Sequence, residues 1–186
     1  MILTKADLRP QMRIRRKNIS VAEERIAALA LLTSIKPLLA GVNSLAIYFA
    51  AYHELDLTPV IDYCLAQDKK VYRPIAYRST RFLQFEPISS DCNRDIFVSD
   101  DYLPISPVSL ELIDLVLIPL LACDYRGNRL GQGGGYYDAS LHNLAHRPQL
   151  CGIGYDWQLV PQLISDEWDV KLDYFASDKR LLNFEI

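Results

Sequence analysis

Apolar and polar positions along the chain change period several times, and each change predicts an element. Ser20-Val-Ala-Glu23 is a capping box, in which the Ser hydroxyl and the Glu carboxylate satisfy free N–H groups at a helix start. The helix it opens runs through ERIAALALLTSI and is predicted to end near Lys36-Pro37, because proline has no N–H for a helix interior. Upstream, Asp7–Lys17 reads as another helix, with Pro10 tolerable only in its first turn. Ser44–Ala50 is a short apolar run and reads as a buried strand. Thr58-Pro59 is an N-cap followed by proline at the first helical position, opening VIDYCLAQ. Lys70–Arg73 is the next strand, stopped by Pro74, and Arg81–Phe85 alternates as a further one. Residues 86–110 hold Pro, Ser and Asp without period and read as a long connection. Leu115–Ile118 is a strongly apolar strand ending at Pro119; a helix near Asp138–Ala145, a strand at Leu150–Tyr155, and short strands near Tyr174–Ala176 and Leu181–Phe184 follow.

Strands that are apolar throughout, alternating with helices, predict an α/β fold with a mostly parallel central sheet and helices on both faces. A single domain with a Rossmann-like three-layer sandwich is expected, with ligands outside the carboxyl ends of the strands. The length of 186 residues fits one domain, and neither a repeat nor a boundary interrupts it. A formal charge of −3 gives no general electrostatic case for nucleic acid. The basic N-terminus lacks the apolar core of a secretory signal, and no apolar stretch approaches a membrane span, so a cytoplasmic protein with no membrane contact is expected. Cys64, Cys92, Cys123 and Cys151 are widely spaced and read as free thiols rather than as zinc ligands.

The candidate chemistry sits in one segment. Five of the eight glycines fall in Gly127-Asn-Arg-Leu-Gly-Gln-Gly-Gly-Gly135, between a predicted buried strand and a predicted helix. Glycines there allow positive φ and a close backbone approach, and their N–H groups can cradle an anion. Arg129 adds a planar fork suited to phosphate. Asp138 lies just past the loop, where a carboxylate suits Mg²⁺ bridging phosphates, although helix N-terminal capping is equally good physics. The spacing matches neither the P-loop nor the dinucleotide fingerprint.

The stretch Gly127-Asn-Arg-Leu-Gly-Gln-Gly-Gly-Gly-Tyr-Tyr-Asp138, after Ile118-Pro-Leu-Leu-Ala-Cys-Asp124, resembles the signature of the 5-formyltetrahydrofolate cyclo-ligase family. Lys5-x-x-Leu8-Arg9, Phe49, Glu54, Lys70-Val-Tyr-Arg-Pro74, Gly152-Ile-Gly-Tyr155 with Gln158, and Glu167–Asp173 extend the resemblance over nearly the whole chain. It implies an enzyme that uses ATP and Mg²⁺ to cyclise 5-formyltetrahydrofolate to 5,10-methenyltetrahydrofolate, with release of ADP and phosphate. It further implies that Lys5 and Arg9 contact ATP phosphates, together with Arg129, Leu130, Gly131, Gln132, Gly133, Gly134, Gly135, Tyr136 and Tyr137. Phe49, Glu54 and Tyr136 would meet the folate, Asp138 and Asp169 would hold Mg²⁺, and Arg129 and Tyr136 would be the catalytic residues. Gln132 and Gly134 stand where many members carry basic residues, so phosphate neutralisation leans on Lys5, Arg9, Arg129 and Mg²⁺.

Set against this is a plainer reading of α-helical Lys5, Arg9, Arg13, Arg15, Arg16 and Lys17 as a solvated basic face. A non-catalytic nucleotide-, sugar-phosphate- or RNA-binding protein on the same scaffold is the alternative function. His142 and His146 share the i, i+4 spacing of a metal pair but lack the accompanying Glu, and read as surface residues; His53 is placed to shuttle protons near neutral pH. A monomer with a small-molecule substrate is expected.

Overall fold

The computed structural model describes residues 4–77, 79–88, 97–98, 102–142 and 144–184. Much of the expected connection over 86–110 lies outside these residues, as does Cys92. The strands are β1 (Ser44–Ala46), β2 (Lys70–Ala76), β3 (Leu83–Pro87), β4 (Phe97–Val98), β5 (Leu115–Pro119), β6 (Ala122–Asp124), β7 (Arg129–Leu130), β8 (Gln149–Ile153), β9 (Leu159–Val160), β10 (Tyr174–Ala176) and β11 (Leu181–Asn183). Among the described residues, eight form one sheet in the order β11-β10-β8-β5-β1-β2-β3, with β4 paired to β2. Its centre is parallel, and the margins β10–β11 and β2–β3 are antiparallel. The other three, β7-β6-β9, form a small second sheet.

The apolar centre is explained by burial on both faces. Leu45, Leu115 and Leu117 point into a core shared with helices α2 (Val21–Ala40) and α3 (Thr58–Ala66). Their neighbours Ala46, Val116 and Ile118 point into the opposite core with Leu141 of α4 (Tyr136–Leu141), Leu172 and Phe175. Among the described residues the second face is thus covered by α4, the short 3-10 helix Leu110–Leu112 and irregular chain, where the first carries two full helices. Helix α1 (Lys5–Lys17) packs Leu8 and Met12 on Leu121, Ala122 and Leu130 of the small sheet.

Prolines account for several corrections. Helix α1 starts before Asp7, because Thr4 and Asp7 form a capping box, and this puts Pro10 inside the helix rather than in its first turn. Pro10 is exposed, so water serves the carbonyl it leaves without a donor. Helix α2 passes through Pro37 to Ala40; Pro37 is exposed, and burial of Leu38 and Leu39 favours the extra turn. Strand β2 likewise continues through Pro74. The Tyr72 carbonyl bonds Ile47 N–H on the β1 side, so Pro74, two residues on, faces the same side, and the pairing with β1 ends before it at Tyr72. Leu57 rather than Thr58 is the cap residue of α3, with Asp56 accepting from Thr58 N and Oγ1. The first strand ends at Ala46, and α4 spans Tyr136–Leu141 rather than 138–145.

Gly127 closes the tight turn that delivers β7 to its place. Its φ is +75°, and a Cβ there would stand 2.7 Å from the Leu172 carbonyl oxygen. Asp124, fully buried, ties the same turn by accepting from Arg126 N, Asn128 N, Asn128 Nδ2 and, across the chain, Leu163 N. Gly127→Ala is expected to destabilise the protein by about 2–4 kcal/mol, combining left-handed strain with a backbone clash. A denaturation midpoint equal to wild type would show that this turn relaxes freely.

Candidate active site

Strand order reverses around β1: the chain goes from β1 outward to β2, then returns to place β5 on the other side. At this switch point the carboxyl ends of β1, β2 and β5 open into a cavity of about 1020 Å³, where a sheet of this kind binds its ligands. Every residue that the sequence nominated lines it: Lys5 and Arg9; Phe49 and Glu54; Arg129 through Asp138; and Asp169. Residues from four separate parts of the chain are therefore brought to one place.

One wall carries the cations. Arg9 Nε donates to the Gly131 carbonyl at 3.1 Å, and Gly133, at φ +105°, lies against the Arg9 guanidinium. Arg129 is buried on β7, donates from Nη2 to Asp138 Oδ1, and has no partner for its buried Nε. Asp138 Oδ1 also accepts from Val170 N at 3.2 Å. Lys5 sits between Asp166, at 2.7 Å, and Asp169. Burial works against the Lys5 charge, but the bonds to the two carboxylates outweigh it and hold the ammonium above its usual pKa. Asp169 further accepts from Asp166 N at 2.8 Å. Gly131 to Gly135 run between these groups, and Gly135, at φ +72°, turns the chain into α4.

The facing wall is aromatic and acidic. Phe49 and the fully buried Tyr48 follow β1; the Tyr48 hydroxyl donates to the Leu55 carbonyl at 2.6 Å. Burial raises the phenols of Tyr48 and Tyr137 well above the ordinary value, so both stay neutral hydrogen-bond groups. Glu54 Oε2 accepts from Ala51 N at 3.1 Å and Oε1 from Gln132 Nε2 at 3.1 Å. Gln132 thereby joins the glycine loop to the acidic wall. Phe82 and Trp168, both largely exposed, stand on the rim.

Several residues escaped the sequence reading. Arg13 binds the loop, with Nε to Gln132 Oε1 at 3.2 Å and Nη2 to the Gln132 carbonyl at 2.8 Å. A guanidinium from α1 thus stands at the loop position that lacks a basic residue. Arg16 is 1% exposed, and its Nη1 lies 3.6 Å from Glu54 Oε1. Burial lowers its pKa, against the pull of Glu54. Its signal was present in the sequence: Leu8, Met12 and Arg16 are four apart, on the one buried stripe of α1. The basic run is consequently a solvated face only in part. Lys5, Arg9 and Arg16 turn inward, Arg13 stays exposed while bonding the loop, Arg15 is exposed and stacks over Trp157 at 4.3 Å, and Lys17 is exposed. His142 and His146 are exposed, while His53 pairs with Glu24 at 2.7 Å. Cys64, Cys123 and Cys151 are buried and unpaired, and burial raises all three thiols, that of Cys64 to about 11. Among the described residues no helix is long and apolar enough to cross a membrane, and no three His, Cys, Asp or Glu side chains gather around a metal position.

Comparison with known proteins agrees with this fold. The family model described as "5-formyltetrahydrofolate cyclo-ligase family" matches residues 2–176. A 5-formyltetrahydrofolate cyclo-ligase of Escherichia coli (strain K12) is 33% identical over 136 residues, covering 70% of this chain and 75% of that protein. One from Haemophilus influenzae is 32% identical over 136 residues, 70% of this chain and 73% of its own length. Among solved structures, a 5,10-methenyltetrahydrofolate synthetase from Aquifex aeolicus superposes with a TM-score of 0.81 at 25% identity, covering 99% of this chain and 94% of that one. The Mycoplasma pneumoniae synthetase shares the fold, with a TM-score of 0.76 at 23% identity over 95% of this chain and 100% of that one. With a mostly parallel sheet, a glycine loop at its switch point and a family match over most of its length, the chain belongs to the 5-formyltetrahydrofolate cyclo-ligase family.

Proposed function

We propose that this protein catalyses the ATP- and Mg²⁺-dependent cyclisation of 5-formyltetrahydrofolate to 5,10-methenyltetrahydrofolate, releasing ADP and phosphate. The observation that carries this reading is the meeting of two unlike walls in one cavity of about 1020 Å³. The volume lies at the upper end of the range of roughly 300–1,000 Å³ usual for one small ligand, and suits two.

An amide-like formyl oxygen is a poor leaving group. Transfer of the γ-phosphoryl group breaks its bond to ADP and forms a phosphorus–oxygen bond to the formyl oxygen. The N10 lone pair then attacks the formyl carbon, the carbon–oxygen bond breaks with release of phosphate, and the N10 proton passes to solvent. Positioning and charge stabilisation are what this demands of the protein. Arg9, Lys5 and the N–H groups of Gly131–Gly135, with Leu130 and Gln132 beside them, hold the triphosphate. The Arg129 fork faces the transferring group from β7. Tyr136 and Tyr137 stand where the two walls join, and Tyr136 touches both substrates. Glu54 accepts from paired N–H donors of the pterin, and Phe49 packs on its ring. Asp138 and Asp169 would hold Mg²⁺, which supplies charge neutralisation on the phosphate oxygens. Two carboxylates completed by phosphate and water are a donor set that suits this ion.

The test mixes the purified protein with 5-formyltetrahydrofolate, ATP and Mg²⁺ and follows the methenyl chromophore. Product is expected only when all three are present. A folded protein that binds ATP and folate without forming product would instead be a binding protein on this scaffold.

A further inference from the structure

Arg16 is buried at a cost that the chemistry above does not explain. On the stripe formed with Leu8 and Met12, an apolar side chain would pack without the desolvation penalty of a guanidinium. The penalty is only partly offset, since Nη2 is buried without a partner. Its shortest contact and its one ion pair both go to the segment Tyr52–Glu54. Nε donates to the Tyr52 carbonyl at 2.9 Å, and Nη1 lies 3.6 Å from Glu54 Oε1 and 3.5 Å from the Leu120 carbonyl. The hydroxyls of Tyr48 and Tyr155 and the charge of Arg13 are its other neighbours.

The segment that Arg16 grips is strained. Tyr52 and His53 adopt φ of +51° and +61°, a conformation that side-chain-bearing residues rarely take, and Glu54 follows directly. Such a turn persists only when its surroundings over-determine it. Three outside ties reach it: Arg16 to the Tyr52 carbonyl, the Tyr155 hydroxyl to the His53 carbonyl at 3.5 Å, and the His53 ring to Glu24 at 2.7 Å. The last lies on an exposed side chain and the second is long, which leaves Arg16 as the short, buried tie.

We propose that Arg16 is a positioning residue for the folate: it clamps the Tyr52–His53 turn from beneath and faces Glu54, so that the carboxylate is presented to the substrate ring in one orientation. The assignment rests on the folate reading of the cavity. It makes α1 serve both walls, with Lys5 and Arg9 toward the nucleotide and Arg16 behind the folate acid. An interaction that fixes the group touching the substrate matters as much as the contact itself.

The experiment compares full-length wild type with Arg16→Met and Arg16→Lys in two readouts. Amide hydrogen exchange at Ala51 and Glu54 needs no ligand and reports the clamp; in Arg16→Met it is expected to quicken by about tenfold or more through local opening. Equilibrium binding of 5-formyltetrahydrofolate without ATP is expected to weaken about tenfold in the same variant, while ATP affinity stays within about twofold. Arg16→Lys keeps the charge and recovers part of both, whereas a purely structural role would weaken both substrates alike and gain nothing specific from lysine. If Arg16→Met does not fold, Arg16→Lys carries both readings with smaller expected changes. Exchange at 51–54 equal to wild type, or equal losses for folate and ATP, overturns the assignment. A wild-type protein that binds ATP but no folate overturns the folate reading itself, and the exchange readout still decides whether Arg16 is the clamp.

Discussion

Arg129→Ala is expected to lower kcat/KM for ATP by about 10²–10³-fold, the loss typical of removing one preorganised donor from a developing charge. Arg129 is the buried cation of the loop, placed by β7 and aimed by Asp138, and its buried Nε has no hydrogen-bond partner. A flexible surface arginine would forfeit much of this advantage to side-chain entropy. Arg129→Lys keeps charge without the fork and should fall between wild type and alanine. Because the alanine variant also leaves Asp138 without its cation, thermal unfolding is measured alongside. A folded variant with wild-type ATP kinetics would remove Arg129 from the phosphoryl-transfer site.

Glu54→Ala should raise KM for the folate by about 10–100-fold and leave KM for ATP within about twofold, as fits losing charge-assisted hydrogen bonds to one substrate only. The carboxylate is held by Ala51 N and Gln132 Nε2 and faced by Arg16, so its orientation is set before substrate arrives. Removing it leaves the Arg16 charge buried and uncompensated, so a lower unfolding temperature is expected with the kinetic effect. Glu54→Gln keeps the side-chain shape but not the charge, so it should show both effects without the added loss of packing. Equal rises in both KM values would mean that the residue shapes the cavity rather than binding folate.

Much of this architecture was legible from hydrophobic pattern. Leu115–Ile118 reads as a strand because both its faces are buried, and the Ser20–Glu23 box marks the start of α2 to the residue. What escaped is what pattern does not encode. Strands β6, β7 and β9 have two or three residues each, too few to show a period, and exist because the Asp124 turn and the loop returning to Leu163 bring them together. Pro37 and Pro74 read as boundaries and Pro10 as a first-turn residue by local chemistry; all three lie inside their elements, and burial of Leu38 and Leu39 carries α2 past Pro37. The site residues were nominated from the loop and the resemblance, and the cavity gathers them all. Arg16 was missed because a charge inside a basic run looks like surface until helical spacing puts it behind Met12.

The cations of the nucleotide wall are already accompanied. The cavity lining sets Lys5, Arg9, Arg81 and Arg129 against Glu54, Asp138, Asp166 and Asp169, four positive groups against four negative. Such a mouth has almost no net field to draw an anion from a distance, so long-range steering of the nucleotide is weak. The association rate for ATP should then change little with ionic strength in stopped-flow mixing, and discrimination for phosphate would arise after encounter, as carboxylates and cations exchange partners within the cavity.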